Sequence, residues 1–135
     1  MPDDVPDEVL DDGPDPLMRA HVHAMQWLDS LGTRDIPPTA DAAEIAERLG
    51  RGLPEGPTDP SEVIDLLAAA CEPGLTAMPS GRFFGFVIGG THPAALAADW
   101  LSTAWDQNAG LRAVTPATAA VDDVAEAWVT DLLGL

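Results

Sequence analysis

Proline lacks a backbone N–H and holds φ near about −65°, so it opens helices and does not continue through them. Four prolines in this chain, Pro16, Pro60, Pro93 and Pro116, each stand at the head of a helical apolar pattern. Asp15, Asp59 and Thr115 precede three of them, and these residue types can accept the unpaired N–H groups of a first helical turn. The punctuation predicts short helices joined by turns and leaves little room for a long sheet.

Residues 1–14 hold six acids, three prolines and no base, a composition that predicts a disordered acidic leader. A first helix is expected over about 16–31, with Leu17, His21, Ala24, Leu28 and Leu31 on one stripe before Gly32. Ile36-Pro37-Pro38 forces an extended connector. Asp41 and Glu44 have the spacing of a capping box, and Ala42, Ile45, Ala46 and Leu49 run at helical intervals to Gly50. A turn-forming stretch leads to a third helix carrying Val63, Ile64, Leu67 and Cys71, stopped by Pro73-Gly74. All three faces are alanine-rich and weak, the kind that needs another surface to cover.

The pattern then changes. In GRFFGFVIGGTHP, residues 81–93, aromatic and β-branched side chains predict one short extended segment near 82–88, and Gly89-Gly90 permit angles that bulky residues avoid. A fourth helix begins at Pro93, with Leu96, Trp100, Leu101, Ala104 and Trp105 on one buried side, and breaks at Asn108 to Gly110. A fifth, capped by Thr115, carries Val121, Val124, Ala125, Trp128, Leu132 and Leu133 and stops at Gly134. The fold class is mainly α: five helices and one extended stretch.

A 135-residue chain can bury a core, but its 46% hydrophobic share is heavy in alanine and its aromatic share is only 5%, so the core should be thin. Twenty-three acids against six bases give a formal charge of −17, which repels nucleic acid and anionic membranes. All six bases are arginine and there is no lysine. The single cysteine, Cys71, fits a reducing compartment, and the acidic start of the chain does not match a secretory signal. With no apolar run near the ~20 residues that span a bilayer, the expectation is a cytoplasmic protein.

The residues that could carry chemistry mostly have structural readings. His21 and His23, two apart on a helix, point about 200° from each other and cannot grip one metal ion, so they read as ordinary surface histidines. His92 has no catalytic partner in sequence. Cys71 reads as a buried structural thiol on an apolar face. The glycines from Gly85 to Gly90 lack the spacing of a phosphate-cradling loop. Asp3-Asp4, Asp11-Asp12 and Asp122-Asp123 read as solvated charge, the last complementing a helix dipole. Trp27, Trp100, Trp105 and Trp128 read as core or interface anchors.

One resemblance stands beside these readings. The run from Gly81 to Leu135, with Phe83-Phe84, the following loop, Ala98-Asp99-Trp100-Leu101 and Thr115-Pro116 before a long helix, resembles the N-terminal part of the pyridoxal-phosphate-dependent group II amino-acid decarboxylases, in their aromatic amino-acid and glutamate branches. The resemblance implies that residues 15–80 form a three-helix flap over a partner subunit, that 81–92 is a pocket-lining loop, and that 93–135 begin the large domain of a fold-type I enzyme, α/β when complete. It implies that Phe86, Val87, Ile88 and Gly89 shape the substrate side of the pocket and that Asn108, Gly110 and Leu111 reach a pocket across a homodimer. The family's cofactor is pyridoxal 5'-phosphate and its activity is loss of the α-carboxylate of an amino acid. The phosphate loop, ring-stacking histidine, ring-nitrogen aspartate and Schiff-base lysine of that family all lie beyond the point matched by Leu135. A chain with no lysine cannot form the internal imine, so no catalytic, covalent cofactor-binding or metal residue is expected here. Two alternatives stay open: a piece of an aminotransferase-like relative, and a non-catalytic helical module that docks on a partner.

Overall fold

The computed structural model describes residues 15–135. The expectation for the acidic leader lies outside the described residues. Five helices are present: α1 (Pro16–Ser30), α2 (Ala42–Leu49), α3 (Pro60–Cys71), α4 (Pro93–Trp105) and α5 (Pro116–Leu133), with a single 3-10 turn over Glu72–Gly74 after α3. There is no β-strand among the described residues. The chain divides into two compact units, the first ending at Gly90 and the second spanning Thr91–Leu135.

Local capping explains most of the helix starts. The Asp15 carboxylate accepts the Leu17 N–H at 2.9 Å. Asp59 accepts from Ser61 at 2.8 Å and from Glu62 at 3.1 Å. At α2 the box is complete: Asp41 accepts from the Ala43 and Glu44 amides, and the Glu44 carboxylate accepts the Asp41 N–H at 2.9 Å. The His92 ring nitrogen Nδ1 accepts the Ala94 N–H at 3.2 Å, which gives this histidine a capping role. Thr115 departs from expectation. Its hydroxyl makes no cap bond and instead donates back to the carbonyls of Asn108 and Leu111, tying down the preceding turn.

In the first unit α3 is the hub, packing against both α1 and α2. The Arg19 guanidinium and the His23 ring, one turn apart on α1, meet the Asp65 carboxylate on α3. The connector after α1 is stitched to the end of α3: Thr39 and Ala40 donate to the Pro73 carbonyl, and Ala77 donates to that of Ile36. Gly74 lets α2 come close: a Cβ there would come 2.9 Å from the Ile45 side chain, which would have to shift. The free carbonyls at the end of α1 are also answered. The Ser80 hydroxyl donates to Leu31 at 2.9 Å, and the Arg82 guanidinium donates to the carbonyls of Leu31 and Arg34.

Very little is sealed. Among the described residues the buried hydrophobic ones are Ala70, Ala77 and Ala119, joined by the polar Ser61, Ser80 and Thr115, so no hydrophobic side chain larger than alanine is buried. The core is as thin as the composition predicts. The sequence places a buried side on α4, but Trp100, Leu101 and Trp105 are all exposed, and no other described helix packs against α4. Leu17 at the head of the α1 stripe is exposed as well, and Cys71 is half-buried where a buried thiol was expected.

Two helix ends and one loop also differ from the sequence reading. α1 closes at Ser30 with Leu31 as its cap, one residue early. α4 closes at Trp105, where Asp106 takes left-handed angles (φ 46°), ahead of the glycine expected to stop it. The segment 82–88 is not extended: Phe86 (φ 58°) and Val87 (φ 53°) turn left-handed in succession. Strand preference expresses packing against paired neighbours, and among the described residues no strand stands beside the segment to supply it. Gly89 and Gly90, given for the unusual angles, do not take them; Phe86 and Val87 do.

Candidate functional site

The residues singled out by the resemblance fall into two groups, one in each unit. Phe86, Val87, Ile88 and Gly89 lie at the end of the first unit. Gly85 lies so close under the Phe83 ring that a Cβ would meet it at 2.8 Å, and the Phe83 and Phe86 rings sit 6.1 Å apart at a tilt. The tip beyond them is bare: Phe84 is 93% and Phe86 80% exposed, and Val87 is fully exposed. For a β-branched residue, left-handed backbone costs on the order of 1–2 kcal/mol, so this tip is held in a sparsely populated shape with its apolar groups outward.

The second group, Asn108, Gly110 and Leu111, forms the turn between α4 and α5. Asn108 Oδ1 accepts the Gly110 N–H at 2.9 Å, closing a local side-chain turn, and the Leu111 carbonyl accepts both the Thr115 N–H and its hydroxyl. Leu111 itself is exposed. These residues shape a surface and offer no nucleophile or acid–base pair.

Charge near the first group is already engaged. Arg82, the nearest base in sequence, spends its guanidinium on the carbonyls at the end of α1, and His92 spends Nδ1 on the α4 cap. The Phe86–Gly89 tip is therefore an uncharged, apolar surface.

The most developed polar cluster lies elsewhere, on Arg19, His23 and Asp65. Hydrogen bonding from Arg19, then from His23, holds the Asp65 carboxyl below the usual carboxylate range, against partial desolvation, and the same pair raises the Arg19 guanidinium. Nearby, the Arg34 guanidinium stacks 3.7 Å over the Trp27 ring and pairs with Glu72 at 2.8 Å. In the second unit Asp123 accepts Arg112 at 2.6 Å. That pair lowers the Asp123 carboxyl and corrects the reading of Asp122-Asp123 as wholly solvated charge. These are clasps between elements; Arg34 and Glu72 border an open concavity of about 180 Å³, and Asp123 borders one of about 460 Å³ lined chiefly by α5. Sequence reasoning compared His21 with His23 and missed the informative pair: Arg19 and His23 are one helical turn apart and so share a face.

The residues present do not fit pyridoxal phosphate. There is no lysine to form an imine. Among the described residues Arg19, Arg34 and Arg112 are paired to carboxylates. No group of three or more His, Cys, Asp or Glu among the described residues could hold a metal ion. No described helix is long and apolar enough to cross a membrane. In comparisons with known proteins, no family model matches the chain, and neither any curated protein nor any solved structure matches it.

Proposed function

We propose that this chain supplies the flap and part of the pocket wall of a pyridoxal-phosphate-dependent amino-acid decarboxylase, a cytoplasmic homodimeric carboxy-lyase whose cofactor is held by sequence outside these 135 residues. The observation that carries the reading is that the buried hydrophobic residues among those described are alanines alone, Ala70, Ala77 and Ala119, while the loop and helices of the resemblance present their apolar groups outward. A wall has this character before the floor it encloses is in place. In such an enzyme the α-carboxylate is lost at the cofactor. The part of Phe86, Val87, Ile88 and Gly89 would be to exclude water and meet the substrate side chain, with Asn108, Gly110 and Leu111 lining the pocket across the dimer. No residue of this chain performs a chemical step.

An aminotransferase-like enzyme would use the same wall, since the residues that choose between the two chemistries lie in the cofactor domain. The transcript decides first. A reading frame that continues past codon 135 into a lysine-bearing cofactor domain is the expected result. A stop codon there contradicts the reading and leaves the non-catalytic helical module, which the same exposed faces would also serve.

A further inference from the structure

Helix α5 bears the longest uncovered apolar row in the second unit. Val121, Val124, Ala125, Trp128 and Leu132 recur at intervals of three and four, which aligns them along one side of the helix. Trp128 is 69% and Leu132 83% exposed. Around Ala125 the row dips into an open concavity of about 350 Å³ lined by Ala120, Val121, Val124, Ala125 and Trp128, an almost wholly apolar surface. Large side chains beside small ones form the ridge and groove that a second helix packs into.

The charge around the row is one-sided. α5 carries Asp122, Asp123, Glu126 and Asp131 and no base. Arg112 takes Asp123, while Asp122, Glu126 and Asp131 form no ion pair among the described residues. At about 100° per residue, Asp122 and Glu126 fall on one flank of the row and Asp131 on the other. Two copies of α5 laid face to face would set acid against acid in chains that each carry a net charge of −17. An anionic bilayer or a nucleic acid is repelled for the same reason.

We propose that this face of α5 docks a basic amphipathic helix of a partner polypeptide, one whose apolar row is flanked by lysine or arginine. The apolar row supplies affinity, with Trp128 as its anchor, and the flanking acids select a cationic partner and set its register. The proposal goes beyond the decarboxylase reading and does not depend on it.

The full 135-residue chain is titrated by calorimetry with an 18-residue synthetic helix of leucine and lysine in heptad order, and with the isomer carrying glutamate in place of lysine. Any strongly acidic protein attracts a cationic peptide, so location decides. Trp128→Ala and the double variant D122N/D131N are each expected to weaken binding more than tenfold. The charge-matched double variant D35N/E55Q should change it less than twofold, and the glutamate isomer should not bind. Equal weakening by the two double variants overturns the proposal, as does absence of binding to the lysine helix. A chain dimer in sedimentation that Trp128→Ala dissolves also overturns it, because the row would then belong to a second copy.

Discussion

His23 on α1 places its ring nitrogen Nε2 2.7 Å from the Asp65 carboxylate on α3, across 42 residues of sequence. Arg19 meets the same carboxylate, so one acid fastens two helices whose alanine-rich faces give little burial of their own. Because the folded Asp65 carboxyl lies below its ordinary value of about 4, its contribution is fully present above that pH and is lost as pH falls through the lowered value. Asp65→Asn should therefore speed amide hydrogen exchange in α1 at neutral pH. The difference from the native chain should close as the pH is taken below the ordinary carboxylate range. An equal difference at every pH would mean that the carboxylate charge does not hold the clasp.

The eight-residue α2 has a complete capping box and little else at its start. Replacing Asp41 with alanine removes the acceptor for two amides, a loss of about 1 kcal/mol in typical helices. Hydrogen exchange at Ala43 and Glu44 should report local opening easier by that amount, with α5 unaffected.

The left-handed turn at Phe86 and Val87 makes a sharper prediction. Val87→Gly should stabilise the turn by about 1 kcal/mol, because glycine has no Cβ to strain at positive φ and the valine side chain has nothing to lose by removal. Gly89→Ala should fall within about 0.5 kcal/mol of the native chain, since Gly89 has an ordinary φ and open space around its Cα. Exchange rates of the amides from Gly85 to Ile88 measure both.

These outcomes separate what local chemistry decides from what it does not. The starts of α1, α2 and α3 were legible because Asp15, Asp41 and Asp59 act within three residues of themselves. The stops at Gly50 and Gly134 were legible for a similar reason, as both take the positive φ that glycine allows. The shape of 82–88 was not, because strand preference depends on a neighbouring strand, and the described residues provide none. The exposure of α4 was not either: Leu96, Trp100 and Leu101 mark an apolar side, but periodicity cannot say whether anything lies against it. The Asp65 clasp needed α1 and α3 to meet before its partners could be paired. The wall positions rest on the resemblance alone, and no residue spacing would have selected Asn108 or Leu111.

A chain with so little interior should melt without a sharp transition. Scanning calorimetry of the isolated protein should give a broad, weak endotherm, since short helices with uncovered faces lose structure piecemeal. A single two-state peak from a monomer would mean that the exposed rows are covered in solution.

The most direct test is to isolate the polypeptide from the cells that make it, using antibodies to residues 15–80, reduce it with borohydride and map any pyridoxyl adduct by mass spectrometry. The account predicts an adduct on a lysine in sequence continuous with residue 135, and none on residues 1–135. A pyridoxyl group on these residues, or none on the isolated protein at all, would contradict it.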